Sequence, residues 1–137
     1  MSAEAQSRPC SWDDLGGDAV MADLLADFYA RIEASPIRAL FPPDLIETVR
    51  KQFAFQSEFW GGPARYSPWR GHPRLRARHL PFAIGMPEAL AWMACMEAAV
   101  SNSRMPEPVR PRFLEQLRKT AIAMINQPVP PPASTGT

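Results

Sequence analysis

Gly71-His72-Pro73-Arg74-Leu75-Arg76-Ala77-Arg78-His79-Leu80-Pro81-Phe82 holds both histidines of the 137-residue chain in one segment fenced by prolines. Pro73 suits the first turn of a helix, where its missing N–H costs nothing. Pro81 biases Leu80 away from helical torsions, so a helix here lasts about two turns. His79 then sits near the C-terminus of a very short helix, one turn after Leu75 on the same face. A neutral imidazole presented from such a helix can ligate a metal or a haem iron. It can equally cap its own helix through the dipole, and spacing alone favours the cap.

Outward from this stretch, composition narrows the class. The length fits one domain with a single core. Charged residues make up 21% and the net charge is +1, so no strong field points to nucleic acid or an anionic membrane. Arg65, Arg70, Arg74, Arg76 and Arg78 form a local basic run, suited to solvating a surface or pairing with an anionic group. The longest apolar stretch, 89–100, is too short to span a bilayer and is broken by Glu97. The N-terminus lacks a signal pattern, and Cys10 and Cys95 suggest neither a disulfide framework nor a CxxC site, so a reducing cytoplasm is expected.

Residues 1–10 read as a disordered leader and 128–137 as a disordered proline-rich tail, leaving a domain over 11–127. Ser11 and Asp14 are spaced as a capping box over a short helical start that Gly16-Gly17 ends. Asp18 then caps a helix over 18–34, with Val20, Leu24, Phe28 and Ile32 on its inner face and Tyr29 beside them. Asp44 caps a helix over 44–60 whose pattern permits two orientations. One turns Leu45, Thr48, Gln52, Phe55 and Phe59 inward; the other turns Val49, Phe53 and Trp60 inward and leaves Gln52 in solvent. Residues 61–72 read as an ordered loop. Helices over 87–102, with Ala89, Trp92, Met93, Met96 and Val100 inward, and from Pro111 to about Gln127 complete an all-α chain of four substantial helices and two short ones.

Helices in this order resemble the truncated globins, and specifically their second group. The resemblance is carried by Gly16-Gly17, Phe28-Tyr29, Leu40-Phe41-Pro42-Pro43-Asp44-Leu45, Phe59-Trp60-Gly61-Gly62-Pro63, Tyr66, the string Gly71-His72-Pro73-x-Leu75-Arg76-x-Arg78-His79-x-Pro81-Phe82-x-Ile84, and Ala91-Trp92 with Met96. It spans 11–127. It implies a two-over-two helical sandwich around one haem b, with His79 as the proximal iron ligand, which reverses the reading that spacing favoured. Tyr29 and Trp92 match the distal tyrosine and tryptophan, Thr48 and Gln52 two distal positions of the third helix, and Phe41 the aromatic on the haem face. This match favours the orientation that turns Thr48 and Gln52 inward. Phe55, Phe82 and Ile84 are implied as further haem contacts. Arg78, Lys51 and Tyr66 are implied as propionate partners, and His72 as a supporting residue.

The resemblance further implies reversible binding of O₂, NO or other diatomic ligands at a pentacoordinate iron, with slow O₂ release. A phenol O–H and an indole N–H in a dry pocket each contribute on the order of 1 kcal/mol or more to holding such a ligand. Oxygen transport, peroxidase and nitric oxide dioxygenase chemistry all fit. The chain has no Rossmann or flavin signature, so turnover needs an external reductase. A monomer or a homodimer is expected. The rival outside this class is a non-haem helical interaction domain, in which both histidines and Trp92 are core or cap residues.

Overall fold

The apolar positions recurring at helical spacing become helices in the computed structural model, which describes residues 10–128. In chain order these are α1 (Gly17–Glu33), α2 (Ile46–Phe59), α3 (Ser67–Arg70), α4 (Leu75–His79), α5 (Met86–Ser101) and α6 (Arg110–Ala123). Short 3-10 turns at Arg38–Leu40 and Glu107–Val109 link them, and no strand occurs among the described residues. The expected leader and tail lie outside the described residues, apart from Cys10 and Pro128.

Helix α1 packs on both α2 and α5, and α5 packs on α6, which gives the expected two-over-two sandwich. The inner face of α1 supplies Leu24, Leu25, Phe28 and Ile32, all essentially without solvent exposure. Burying each such side chain stabilises the fold by about 1.5–3 kcal/mol. Met96, Ala99 and Val100 of α5 and Phe113 and Leu117 of α6 close the core from the other side.

Several local expectations are corrected. The start at Ser11 is a reciprocally bonded turn rather than a helix: the Ser11 N–H donates to Asp14 at 3.0 Å and the Asp14 N–H donates to Ser11 Oγ at 3.1 Å. Gly16, not Asp18, occupies the N-cap of α1, at φ 113°, and a Cβ there would lie 2.6 Å from Val20. The Asp18 carboxylate is used elsewhere. It accepts from Trp12 Nε1 at 2.8 Å and from both terminal nitrogens of Arg65 at 3.0 and 2.8 Å. Trp12 thereby lies across the end of α2, where its N–H donates to the Trp60 carbonyl at 2.8 Å. Gly62 admits it, since a Cβ at Gly62 would fall 2.6 Å from the indole. The final helix ends at Ala123, short of Gln127.

Candidate functional site

Helix α4 is only five residues long, and its start differs from the sequence expectation. Pro73 lies outside it, and Arg74 at its N-cap takes a left-handed φ of 47°. A non-glycine residue there costs about 1 kcal/mol. His72 offsets this, its Nδ1 accepting from the Arg74 N–H at 3.1 Å. His72 therefore holds a turn. At the other end, His79 Nδ1 lies 2.6 Å from the Leu75 carbonyl oxygen. A carbonyl only accepts, so Nδ1 carries the proton and the Nε2 lone pair is left open.

Helix α4 is tied down by the chain beyond α6. Asn126 Nδ2 donates to the carbonyls of His79 at 3.1 Å and Phe82 at 2.8 Å, while its Oδ1 accepts from the Ile84 N–H at 3.0 Å. Arg76 donates to the carbonyls of Ala123 at 2.6 Å and Ile125 at 2.9 Å, which caps α6. The imidazole is thus held by the Leu75 carbonyl, and the helix that carries it is held by Asn126 and Arg76.

His79 faces a cavity of about 520 Å³ bounded by α1, α2, α4, α5 and α6. Every residue that the sequence put forward lines it: Tyr29, Phe41, Thr48, Lys51, Gln52, Phe55, Tyr66, Arg78, His79, Phe82, Ile84 and Trp92. Parts of both orientations left open for α2 are realised, although Gln52 borders the cavity rather than lying in solvent. Phe53 and Val49 pack against the core and Trp60 is buried in it, while Thr48, Gln52, Phe55 and Phe59 border the cavity. Phe59 remains 47% and Phe82 44% exposed.

Hydrogen-bond donors collect along one side. Tyr29 is 6% exposed, and among the described residues its hydroxyl has no partner. Burial pushes its phenol above the ordinary tyrosine value, so it stays protonated. The interior tryptophans differ in a telling way. Trp12 and Trp60 donate their indole N–H to Asp18 and Gln56, whereas Trp92 makes no such bond among the described residues. Trp92 packs edge-on against Phe28 at 5.1 Å, and Phe28 against Tyr29 at 4.8 Å, which fixes both rings.

Cations occupy another part of the rim. Lys51 lies 3.9 Å from Glu47, and Arg78 donates to the Arg70 carbonyl at 3.1 Å. The sequence named Arg70 only as part of a basic run, yet it also lines the cavity, and its Nε is buried without a hydrogen-bond partner. Its neighbour Trp69 is stacked by Arg50 at 4.1 Å. Tyr66 is held by Glu58, which accepts from the N–H groups of Tyr66 at 3.1 Å and Ser67 at 2.9 Å. A polar wall of Gln56, Gln116 and Thr120 was also missed. The available signal was Gln56 one turn from both Gln52 and Trp60.

Similarity to known proteins agrees with this arrangement. The family model for bacterial-like globins matches residues 10–126. The group 2 truncated hemoglobin YjbI of Bacillus subtilis is 40% identical over 112 residues, covering 81% of this chain and 85% of that protein. The two-on-two hemoglobin-3 of Arabidopsis thaliana is 28% identical, and this chain spans 62% of its length. Among solved structures, the group II truncated hemoglobin of Bacillus anthracis superposes with a TM-score of 0.83 at 39% identity, covering 86% of this chain and 97% of that one. The hemoglobin of Chloroflexus aurantiacus gives 0.82 at 43% identity, covering 88% and 100%. The all-helical fold is thus shared with hemoglobins. The chain belongs to the bacterial-like globin family and is a truncated globin of its second group.

The family implies a haem, and the residues present fit one. The cavity offers more apolar than polar surface, an imidazole with an open Nε2, and a buried guanidinium nitrogen that lacks an acceptor.

Proposed function

We propose that this chain holds haem b through His79 and binds O₂, NO and other diatomic ligands reversibly, releasing O₂ slowly. The observation that carries this reading is the His79 imidazole: its Nδ1–H is spent on the Leu75 carbonyl, and it lines a cavity that Tyr29 and Trp92 also line, neither donor having an acceptor among the described residues. The haem would supply an iron with one open position for a diatomic ligand. The protein supplies orientation, exclusion of water and hydrogen bonds. The Leu75 carbonyl fixes the His79 tautomer and raises the basicity of Nε2. Tyr29 and Trp92 would donate to the ligand as principal donors, with Gln52 and Thr48 secondary and Phe41 packing on the haem face. Each principal donor adds on the order of 1 kcal/mol, and about 1.4 kcal/mol is tenfold in dissociation. Arg70, with its buried Nε, joins Arg78, Lys51 and Tyr66 as partners for the propionates.

The donor pair also favours a second reading, as a nitric oxide dioxygenase or peroxidase fed by an external reductase. Donors that hold a ligand polarise it as well. Stopped-flow mixing of the O₂-loaded ferrous protein with NO separates the two readings. Simple binding predicts slow spontaneous O₂ loss and a single turnover, whereas sustained NO consumption with an added reductant supports the enzyme. Fast O₂ release that Tyr29→Phe and Trp92→Phe leave unchanged would contradict both.

A further inference from the structure

Gln56 lies in the last turn of α2, is only 2% exposed, and lines the cavity. Its amide orientation is set by chemistry: Trp60 Nε1–H lies 2.8 Å from it and can only donate, so the oxygen must face the indole. The amide nitrogen is thereby turned elsewhere, and among the described residues its two N–H groups have no acceptor. Unlike the Arg70 Nε, this nitrogen is not sealed from water, so a water molecule can reach it. The Trp60 ring also packs on Phe113 of α6 at 5.7 Å. One turn from that contact lie Gln56 on α2 and Gln116 and Leu117 on α6, and all three border the cavity. On α6, Thr120 Oγ1 donates to the Gln116 carbonyl at 3.1 Å and accepts from Gln116 Nε2 at 3.5 Å. Gln116 Oε1 remains an open acceptor on this wall.

We propose that Gln56 anchors a buried hydration site at this wall of the cavity, with its Nε2 donating to a water molecule that the Gln116 side of α6 helps to hold. A buried water needs room and two to four polar partners. The cavity supplies the room, and the open amide groups of Gln56 and Gln116 supply the chemistry. This site is built from α2 and α6, apart from the donors Tyr29 on α1 and Trp92 on α5. It keeps a polar occupant where an apolar wall would store apolar gas molecules. The inference does not rest on haem binding, because every group in it belongs to the chain.

The test is a high-resolution crystal structure of the protein as purified, with and without xenon pressurisation, the Soret band recording haem content separately. An ordered water at about 2.9 Å from Gln56 Nε2, with no xenon there, is expected. The Gln56→Leu/Trp60→Phe pair removes the Gln56 amide without orphaning the Trp60 indole N–H, and keeps an aromatic ring against Phe113. It should lose the water and gain xenon at that place. An apolar group or a haem edge against Nε2 in place of water, xenon at this wall in the unaltered protein, or a water that persists in the pair would each overturn the proposal. Should the pair not fold, the unaltered protein decides alone. A missing Soret band would defeat the haem reading and still leave the water map readable.

Discussion

Tyr29 and Trp92 both border the cavity, and among the described residues neither the phenol nor the indole N–H has an acceptor; at the residue scale the proposed ligand binding rests on these two. Replacing Tyr29 by Phe or Trp92 by Phe should each speed O₂ dissociation by roughly five- to tenfold, about 1–1.4 kcal/mol, read by stopped-flow ligand displacement. Because burial raises the Tyr29 phenol above its ordinary value, its donation should persist into alkaline solution. The ratio of the Tyr29→Phe off-rate to that of the unaltered protein should stay flat up to pH 10, and a ratio collapsing toward one near pH 9 would contradict a protonated donor. These two residues were legible in sequence through a helical face and a family match. Arg70 and Gln56 were not, because what distinguishes them is a missing partner. Partnership is a property of the folded neighbourhood, and no spacing rule records it.

Among the elements, the five-residue α4 carries the most weight and has the least support of its own. A helix of this length is not stable alone, so tertiary contacts must hold it. Asn126 from the far end of the chain supplies one, and Arg76 of α4 supplies another by reaching the Ala123 carbonyl. Asn126→Ala removes two donors to the His79 and Phe82 carbonyls and the acceptor for Ile84, and should accelerate haem transfer to a scavenger globin about tenfold while leaving the Soret position unchanged. Unchanged haem transfer would show that α4 holds itself. The end of this helix just before Pro81 was readable, but Pro73 falls outside it rather than in its first turn, and Leu80 keeps helical torsions at φ −56°, ψ −35°. The left-handed Arg74 was not readable, since it depends on a bond to His72 that only the folded turn creates. The helix order and the inner faces of α1, α5 and α6 were legible because burial imposes a 3.6-residue period. The two-sided character of α2 was half legible: both stripes were visible, and only the cavity explains why both are used.

At the scale of the whole molecule, one carboxylate on α2 and one on α1 hold the chain that follows α2. The Ser67 N–H and hydroxyl, with the Tyr66 N–H, hold Glu58 below the usual carboxylate range, and Arg65 with Trp12 does the same for Asp18. A depressed folded-state pKa means that the stabilisation is present above the ordinary carboxylate value of about 4 and is lost as pH falls through the folded value. Urea midpoints should therefore decline below about pH 4, less steeply in Glu58→Gln and Asp18→Asn, and parallel curves would contradict these contacts. Gly62→Ala forces a Cβ to within 2.6 Å of Trp12 and should cost about 1–3 kcal/mol in urea unfolding. At the centre of this scaffolding stands the proposed ligation of a haem iron by His79 Nε2. The most direct test is haem titration of the apoprotein followed in the Soret region for the unaltered chain and His79→Gly, with and without added imidazole. The account predicts stoichiometric uptake by the unaltered chain, loss of haem retention in His79→Gly, and recovery when imidazole is supplied. Full haem loading of His79→Gly, with an unchanged spectrum and no response to imidazole, would contradict it.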